Sequence, residues 1–280
     1  MLHIPLEEWQ KITPESCPIV SGVFLDQDPN SRKQINSLNK SGKIEILELL
    51  NGLHIRTYQY VGTVHIGTIR ITIKPQIDNF RLLNLLRYAF DWRKLEVFDS
   101  TILDLEENGF QEILIIQLLT EAKSILGRGL FRNYECIGEN LQSPRGRIDF
   151  NRYANVGGLS DASLFCRHYL RIENNLLNRT LLAGLKLGSR LTNDVILRTE
   201  LRKISQILEQ SVSSIKLTSS LVQNAQINTN RLTAIYRPTL SIIEILLSSQ
   251  GISLDSKEDD IRVPGFLFDM NRFYQALLFR

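Results

Sequence analysis

Two periods organise the chain. From Lys43 to Leu49 and from Leu53 to Pro75 the residues are rich in Ile, Val, Thr and Tyr and are punctuated by Gly52, Gly62 and Gly67, which predicts strands. Val64 and Ile66 share one parity whereas Ile69, Ile71 and Ile73 share the other, so the inward side switches across Gly67. A bulge or turn is expected there, because glycine accepts the backbone angles that such a switch needs. Pro75 closes the run. Asp78 then stands as the cap of a helix in which Leu82, Leu85, Leu86, Ala89 and Phe90 recur at helical spacing. A second helix is predicted from Phe110 to Leu126, with Gly127 and Gly129 as its stop.

Leu130 to Phe150 reads as extended again, with turn signals at Gly138 to Asn140 and at Ser143-Pro144. After Tyr169 the period becomes helical. Leu176, Leu177, Thr180, Leu181 and Leu185 form one stripe, and Ile196, Leu201, Ile204, Ile207 and Leu208 another. Ser211 to Asn230 is rich in Ser, Thr, Asn and Gln without a strong period, and is expected to be a long loop or projection. A helix from Thr239 to Leu247 follows Pro238, and Gln250 to Asp260 is polar and acidic, as in a linker. The last stretch begins at Pro264-Gly265 and places Phe273, Leu277 and Leu278 on one side of a helix with no stop signal. Its apolar stripe is expected to need a partner, from a further domain or another chain.

These elements predict an α+β fold. Residues 1–150 form a β-rich part with packed helices, 151–249 a mainly helical basic part with a projecting partner-contact element, and 250–280 a linker and the stub of a further domain.

Composition adds modest constraints. The 280 residues are 43% hydrophobic and 22% charged, enough for a sizeable core. The longest apolar run, Ile113 to Leu119, is interrupted by Gln117, and the N-terminal Met-Leu-His-Ile-Pro has no basic segment before an apolar one. No membrane span and no secretory signal are read, and a cytoplasmic protein is expected. Cys17, Cys136 and Cys166 form no CxxC pair and fit reduced thiols. The net charge is +3, yet Leu141 to Leu240 holds fourteen Lys and Arg against six Asp and Glu. That excess points to a polyanion or an acidic protein surface, or to solvated helix faces.

Searches for catalytic chemistry narrow the choice. No GxxxxGK[ST] loop, HExxH or GxSxG is present, and His3, His54, His65 and His168 are scattered. A metal-dependent nuclease needs carboxylates to hold the cation and a nearby lysine, usually as an Asp followed by (D/E)xK on a strand. Glu121-Ala-Lys123 lies in a helix, where residues two apart diverge. Asp255-Ser-Lys257 lies in the polar linker without a rigid frame. No catalytic or metal-binding residue is assigned. The remaining distinctive segment is Ser143-Pro-Arg-Gly-Arg-Ile-Asp-Phe150. Gly146 between Arg145 and Arg147 suits close approach to a partner with both guanidiniums reaching for phosphates or carboxylates, or else a turn into a strand with Arg147 and Asp149 paired.

Read in order, Val61-Gly-Thr-Val64 through Ile71-Thr-Ile-Lys-Pro75, Leu86-Arg-Tyr-Ala89, Pro144-Arg-Gly-Arg-Ile-Asp149, Cys166 leading to Glu173-Asn-Asn-Leu-Leu-Asn178, and Pro264-Gly-Phe-Leu-Phe-Asp-Met-Asn-Arg272 resemble the McrC family. The resemblance covers most of the chain. It implies the nuclease subunit of a GTP-dependent system that cuts DNA carrying modified cytosine. Its partner would be a McrB-like AAA+ GTPase ring, into which the non-catalytic part projects and whose hydrolysis it stimulates. GTP would belong to that partner and Mg2+ to a nuclease domain, with no cofactor in this chain. The family's Asp and (D/E)xK would follow Phe268-Asp-Met-Asn-Arg272, and the chain stops before them, with Gln275 where many relatives have an acidic residue.

Within that frame Arg231, Tyr236 and Arg237 are the expected ring contacts, since Arg and Tyr dominate binding hot spots. Arg145, Gly146 and Arg147 are expected to meet DNA or the ring. Asn174, Asn175 and Asn178 are expected to tie their helix to neighbouring backbone. Two other classes stay open: a partner-independent nucleic-acid-binding module, and a non-catalytic adaptor to a separately encoded nuclease.

Overall fold

The computed structural model describes residues 2–25, 29–90, 92, 110–151, 163–249 and 265–278. Strands β1 (Leu2–Glu7), β2 (Lys11–Ile12), β3 (Ile44–Leu49), β4 (Gly52–Thr57), β5 (Tyr60–Ile66) and β6 (Ile69–Lys74) are joined by helix α1 (Pro29–Lys40), which lies between β2 and β3. Helices α2 (Asn79–Phe90) and α3 (Phe110–Arg128) follow, then β7 (Asn133–Leu141), β8 (Arg147–Ile148) and β9 (Leu164–Ile172). The rest is α4 (Leu176–Leu191), α5 (Val195–Glu209), α6 (Ser219–Ile227), α7 (Arg237–Ser249), β10 (Gly265–Asp269) and α8 (Met270–Leu278). The mixture of sheets and helices is the expected α+β class.

The parity switch at Gly67 is a two-residue hairpin turn. Ile66 faces Ile69 across it, Val64 faces Ile71, and Gly67 takes a φ of 53°. All of the alternating isoleucines and valines therefore reach the same side of one sheet, ordered β1-β6-β5-β10, with β1 parallel to β6 and the other pairs antiparallel. That side packs on Ile12, Ile44, Ile46, Leu53 and Ile55 of the second sheet, β2-β4-β3, and on Ile35 and Leu38 of α1. The opposite side of the first sheet contributes Val61, Phe266 and Phe268 to a larger core built from α2 to α8.

β10 is the element that links the two cores. Phe266 and Phe268 enter the helical core while Leu267, between them, enters the β core. At Gly62 the φ is 139° and a Cβ would lie 2.0 Å from the carbonyl oxygen of Phe266, so β10 closes on β5 only over a glycine. Helix α4 approaches α7 in a similar way at Gly184, where a Cβ would lie 2.2 Å from the Cδ1 of Ile243.

Several expectations change. Gly138 to Asn140 is the interior of β7, not a turn. Ser211 to Asn230 is not a projection, because Thr218 caps α6 by accepting from the Leu221 amide and Val222 and Ala225 are fully buried. The final helix does not begin at the Pro-Gly break, since Gly265–Asp269 is a strand, and its stripe is largely covered: Met270 and Phe273 are fully buried, although Leu278 remains exposed. Packing also divides the chain differently from 1–150, 151–249 and 250–280. Helices α2 and α3 belong to the helical core, and β10 completes the first sheet. The expected linker from Gln250 to Asp260 lies outside the described residues.

Candidate functional site

β7, β9 and β8 form an antiparallel sheet in that order, and none of their residues enters either core. The three strands pack chiefly on one another, so the sheet stands away from the body. Its two faces differ. On β9, Cys166 and His168 are buried while Arg167, Tyr169 and Arg171 are exposed. The register places Tyr134 beside Arg171, Cys136 beside Tyr169, and Gly138 and Arg147 on either side of Arg167. One face therefore carries three arginines and two tyrosines, with Tyr134 and Tyr169 61% and 67% exposed. The other holds Glu135, Ile137, Glu139, Ile148, Cys166 and His168, where His168 Nε2 lies 3.4 Å from a Glu139 carboxylate oxygen.

Local contacts hold the open face in shape. The Arg171 guanidinium stacks over the Tyr134 ring at 5.6 Å, and Arg167 donates to Asp149 at 2.9 Å. Phe165 lies over Gly138, where a Cβ would come within 2.7 Å of its ring.

The base of the sheet is fastened to the helical body by a compact polar cluster. The chain enters β7 after Phe131 and leaves β9 into Glu173-Asn-Asn-Leu-Leu-Asn178. Asn178, fully buried, donates to the carbonyls of Phe131 at 2.9 Å and Glu173 at 2.7 Å. Asn175 donates to the same Phe131 carbonyl at 2.8 Å and accepts from the Asn178 amide, capping α4. Tyr236 closes the cluster: its hydroxyl donates to Asn178 Oδ1 at 2.5 Å and accepts from the Phe131 amide at 3.0 Å. Burial pushes the Tyr236 phenol up to about 12. Outside it, Arg132 pairs with Glu173 at 2.8 Å, and hydrogen bonds from Ser211 and Arg132 hold the Glu173 carboxyl below its usual range. Asn174 accepts from the amide and hydroxyl of Ser213 and from Arg179.

The expected contact residues fall in two places. Arg145, Gly146 and Arg147 lie on the projecting sheet, and both arginines are exposed. Gly146 serves the sheet itself: at a φ of 75°, a Cβ would lie 2.5 Å from the Arg167 carbonyl and 2.8 Å from His168 Cβ. Asp149 pairs with Arg167 rather than with Arg147. Arg231 and Arg237 are exposed on the helical body, where Arg237 donates to Thr229 Oγ1 at 3.2 Å. Tyr236, placed with them as a surface contact, is 1% exposed. It braces the sheet from within. The three asparagines do bind neighbouring backbone, as their amide chemistry predicted.

Among the described residues no group of His, Cys, Asp and Glu is arranged to hold a metal ion. Glu121 is fully buried and accepts from Gln117 at 3.1 Å, while Lys123 pairs with Glu200 at 3.3 Å, so the helical match to (D/E)xK sends its two charges apart. Asp255 and Lys257 lie outside the described residues. No described helix is long and apolar enough to cross a membrane. Arg167, Tyr169 and Arg171 escaped the sequence reading, although their strict alternation with Cys166, His168 and Leu170 carries the strand signal.

A two-core α+β body bearing a polar-clamped, outstanding sheet defines a scaffold that presents a surface to another macromolecule. The chain belongs to the family of McrBC 5-methylcytosine restriction system components, whose model matches residues 55–279. No curated protein matches. Among solved structures, a chain of the Thermococcus gammatolerans McrBC complex is similar at 18% identity and a TM-score of 0.66, over 99% of this chain and 85% of that one. A chain from the half-complex of the tetradecameric assembly of T. gammatolerans McrB AAA+ hexamers with bound McrC matches at 17% identity and a TM-score of 0.65, over 99% of this chain and 69% of that one.

Proposed function

We propose that this chain is a McrC-like subunit that binds a McrB-like AAA+ GTPase ring, stimulates its GTP hydrolysis and couples it to cleavage of DNA carrying modified cytosine. The observation that carries this reading is the β7-β9-β8 sheet, which stands outside both cores yet is fixed at its base by Asn175, Asn178 and Tyr236. A rigid root under an exposed sheet is what an inserting element needs, because ordering costs are met before binding. The family match and the likeness to chains of McrBC assemblies support the same partner. GTP belongs to the ring, and Mg2+ to the step that cuts DNA. No nuclease centre is assigned to the described residues, and the site of action is the cytoplasm.

The sheet replaces Ser211 to Arg237 as the inserting element, with Arg145 and Arg147 as contacts and Arg231 and Arg237 as a secondary surface. The test is GTP turnover by the ring subunit of the same restriction system, measured with increasing amounts of this chain. Stimulation and co-elution are expected, and replacing Arg145 and Arg147 together by Ala should raise the half-maximal concentration about tenfold, typical of losing interface arginines. Wild-type protein that neither co-elutes with the ring nor alters turnover overturns the reading.

A further inference from the structure

The two faces of the projecting sheet are chemically unlike, and that difference says what the sheet receives. Resting on the ring-binding reading above, we propose that the face formed by Tyr134, Arg147, Arg167, Tyr169 and Arg171 is the recognition face, and that it takes an acidic protein segment of the partner rather than nucleic acid.

Three observations favour this assignment. The face is open: Tyr134 and Tyr169 are 61% and 67% exposed, whereas on the reverse Cys166 is fully buried and His168 is 5% exposed. Its cations are all arginine, and one already shows the preferred chemistry, with Arg167 donating to the Asp149 carboxylate at 2.9 Å. The charge balance separates protein from polyanion. Over residues 131–151 and 163–173 five arginines face four acids, Glu135, Glu139, Asp149 and Glu173. A net charge near +1 gives little of the long-range field or counterion release that drives binding to a phosphate chain. Arginine and tyrosine alternating on a rigid strand instead match the anchors of protein interfaces, where short-range contacts decide affinity. Arg171, laid over the Tyr134 ring, is already ordered and loses little freedom on pairing.

The experiment uses the full chain with the purified ring subunit and follows GTP turnover and co-elution. Arg171→Glu and Tyr169→Ala should each raise the half-maximal concentration for stimulation by about tenfold or more, while Glu135→Gln on the reverse should leave it within about twofold. Arg171→Lys should fall between, because it keeps the charge and loses the planar fork. Circular dichroism of each variant separates a lost contact from a lost fold. In a parallel arm, single-stranded and duplex DNA are titrated with the chain alone at low and moderate salt. If wild-type protein stimulates the ring but Glu135→Gln weakens it as much as Arg171→Glu does, the face assignment is wrong. If Arg171→Glu leaves the ring unaffected but abolishes salt-sensitive DNA binding, the occupant is nucleic acid. If wild-type protein ignores the ring altogether, it is the functional reading that has failed.

Discussion

Tyr236→Phe isolates the clamp under the projecting sheet, because it removes one oxygen and leaves the ring in place. In the wild-type protein that oxygen accepts from the Phe131 amide at 3.0 Å and donates to Asn178 Oδ1 at 2.5 Å. Tyr236 is 1% exposed and Asn178 fully buried, so water has no path to the vacated position. Each orphaned buried group costs about 1–3 kcal/mol, and allowing for some relaxation the expected loss is about 2–4 kcal/mol. That is a large share of a typical stability of about 5–15 kcal/mol. Urea denaturation followed by far-UV circular dichroism measures the loss, and hydrogen exchange at the Phe131 amide locates it. Because Asn178 shares the network, Asn178→Ala and the double variant should lose less together than the sum of their separate losses. A change below about 0.5 kcal/mol with unaltered exchange at Phe131 would refute the clamp, placing Tyr236 among ordinary surface-like substitutions.

The same phenol sets an alkaline limit. Its folded pKa, pushed up to about 12 by burial, exceeds the usual value of 10.0, so the folded state holds the proton more tightly and the associated stability, complete below pH 10, declines as pH rises towards 12. The loss is about 2–3 kcal/mol across that window, and Tyr236→Phe should flatten the alkaline arm of a stability profile. Gly62→Ala puts a Cβ 2.0 Å from the Phe266 carbonyl at a φ of 139°, and should cost about 3 kcal/mol or more and make β10 susceptible to proteolysis; an unchanged digestion pattern would count against the close approach. Gly184→Ala should cost about 1–3 kcal/mol through overpacking against Ile243, with thermal unfolding showing partial recovery when Ile243→Val is added; equal stability of the single and double variants would place the strain elsewhere.

What the sequence disclosed tracks how far each signal is local. The strands from Lys43 to Pro75 and the helices from Asp78 and Phe110 announce themselves because one face is buried and the other wet, giving clean periods. β10 does not: Phe266, Leu267 and Phe268 are buried on both sides, the alternation vanishes, and a Pro-Gly break before a helical pattern draws the eye past it. Helix α6 hides for the opposite reason. Its Ser, Thr, Asn and Gln residues serve as caps and solvated surface, and only Val222 and Ala225 are fully buried, too few to set a period. At the site, the arginines flanking Gly146 were visible as a pattern, and the role of Glu173-Asn-Asn-Leu-Leu-Asn178 as a backbone anchor followed from amide chemistry. Tyr236 was misplaced because an aromatic hydroxyl looks the same at an interface and at a buried branch point; Phe131 and Asn178, its partners, lie 105 and 58 residues away.

The pairing of Gly265–Asp269 with Tyr60–Val64 joins positions about two hundred residues apart, so the first sheet waits for nearly the whole chain to leave the ribosome before it can be finished. Until then β5 presents a bare backbone edge, an invitation to the wrong strand. Co-translational chaperoning, or prompt capture by a cognate subunit, would matter most during that interval.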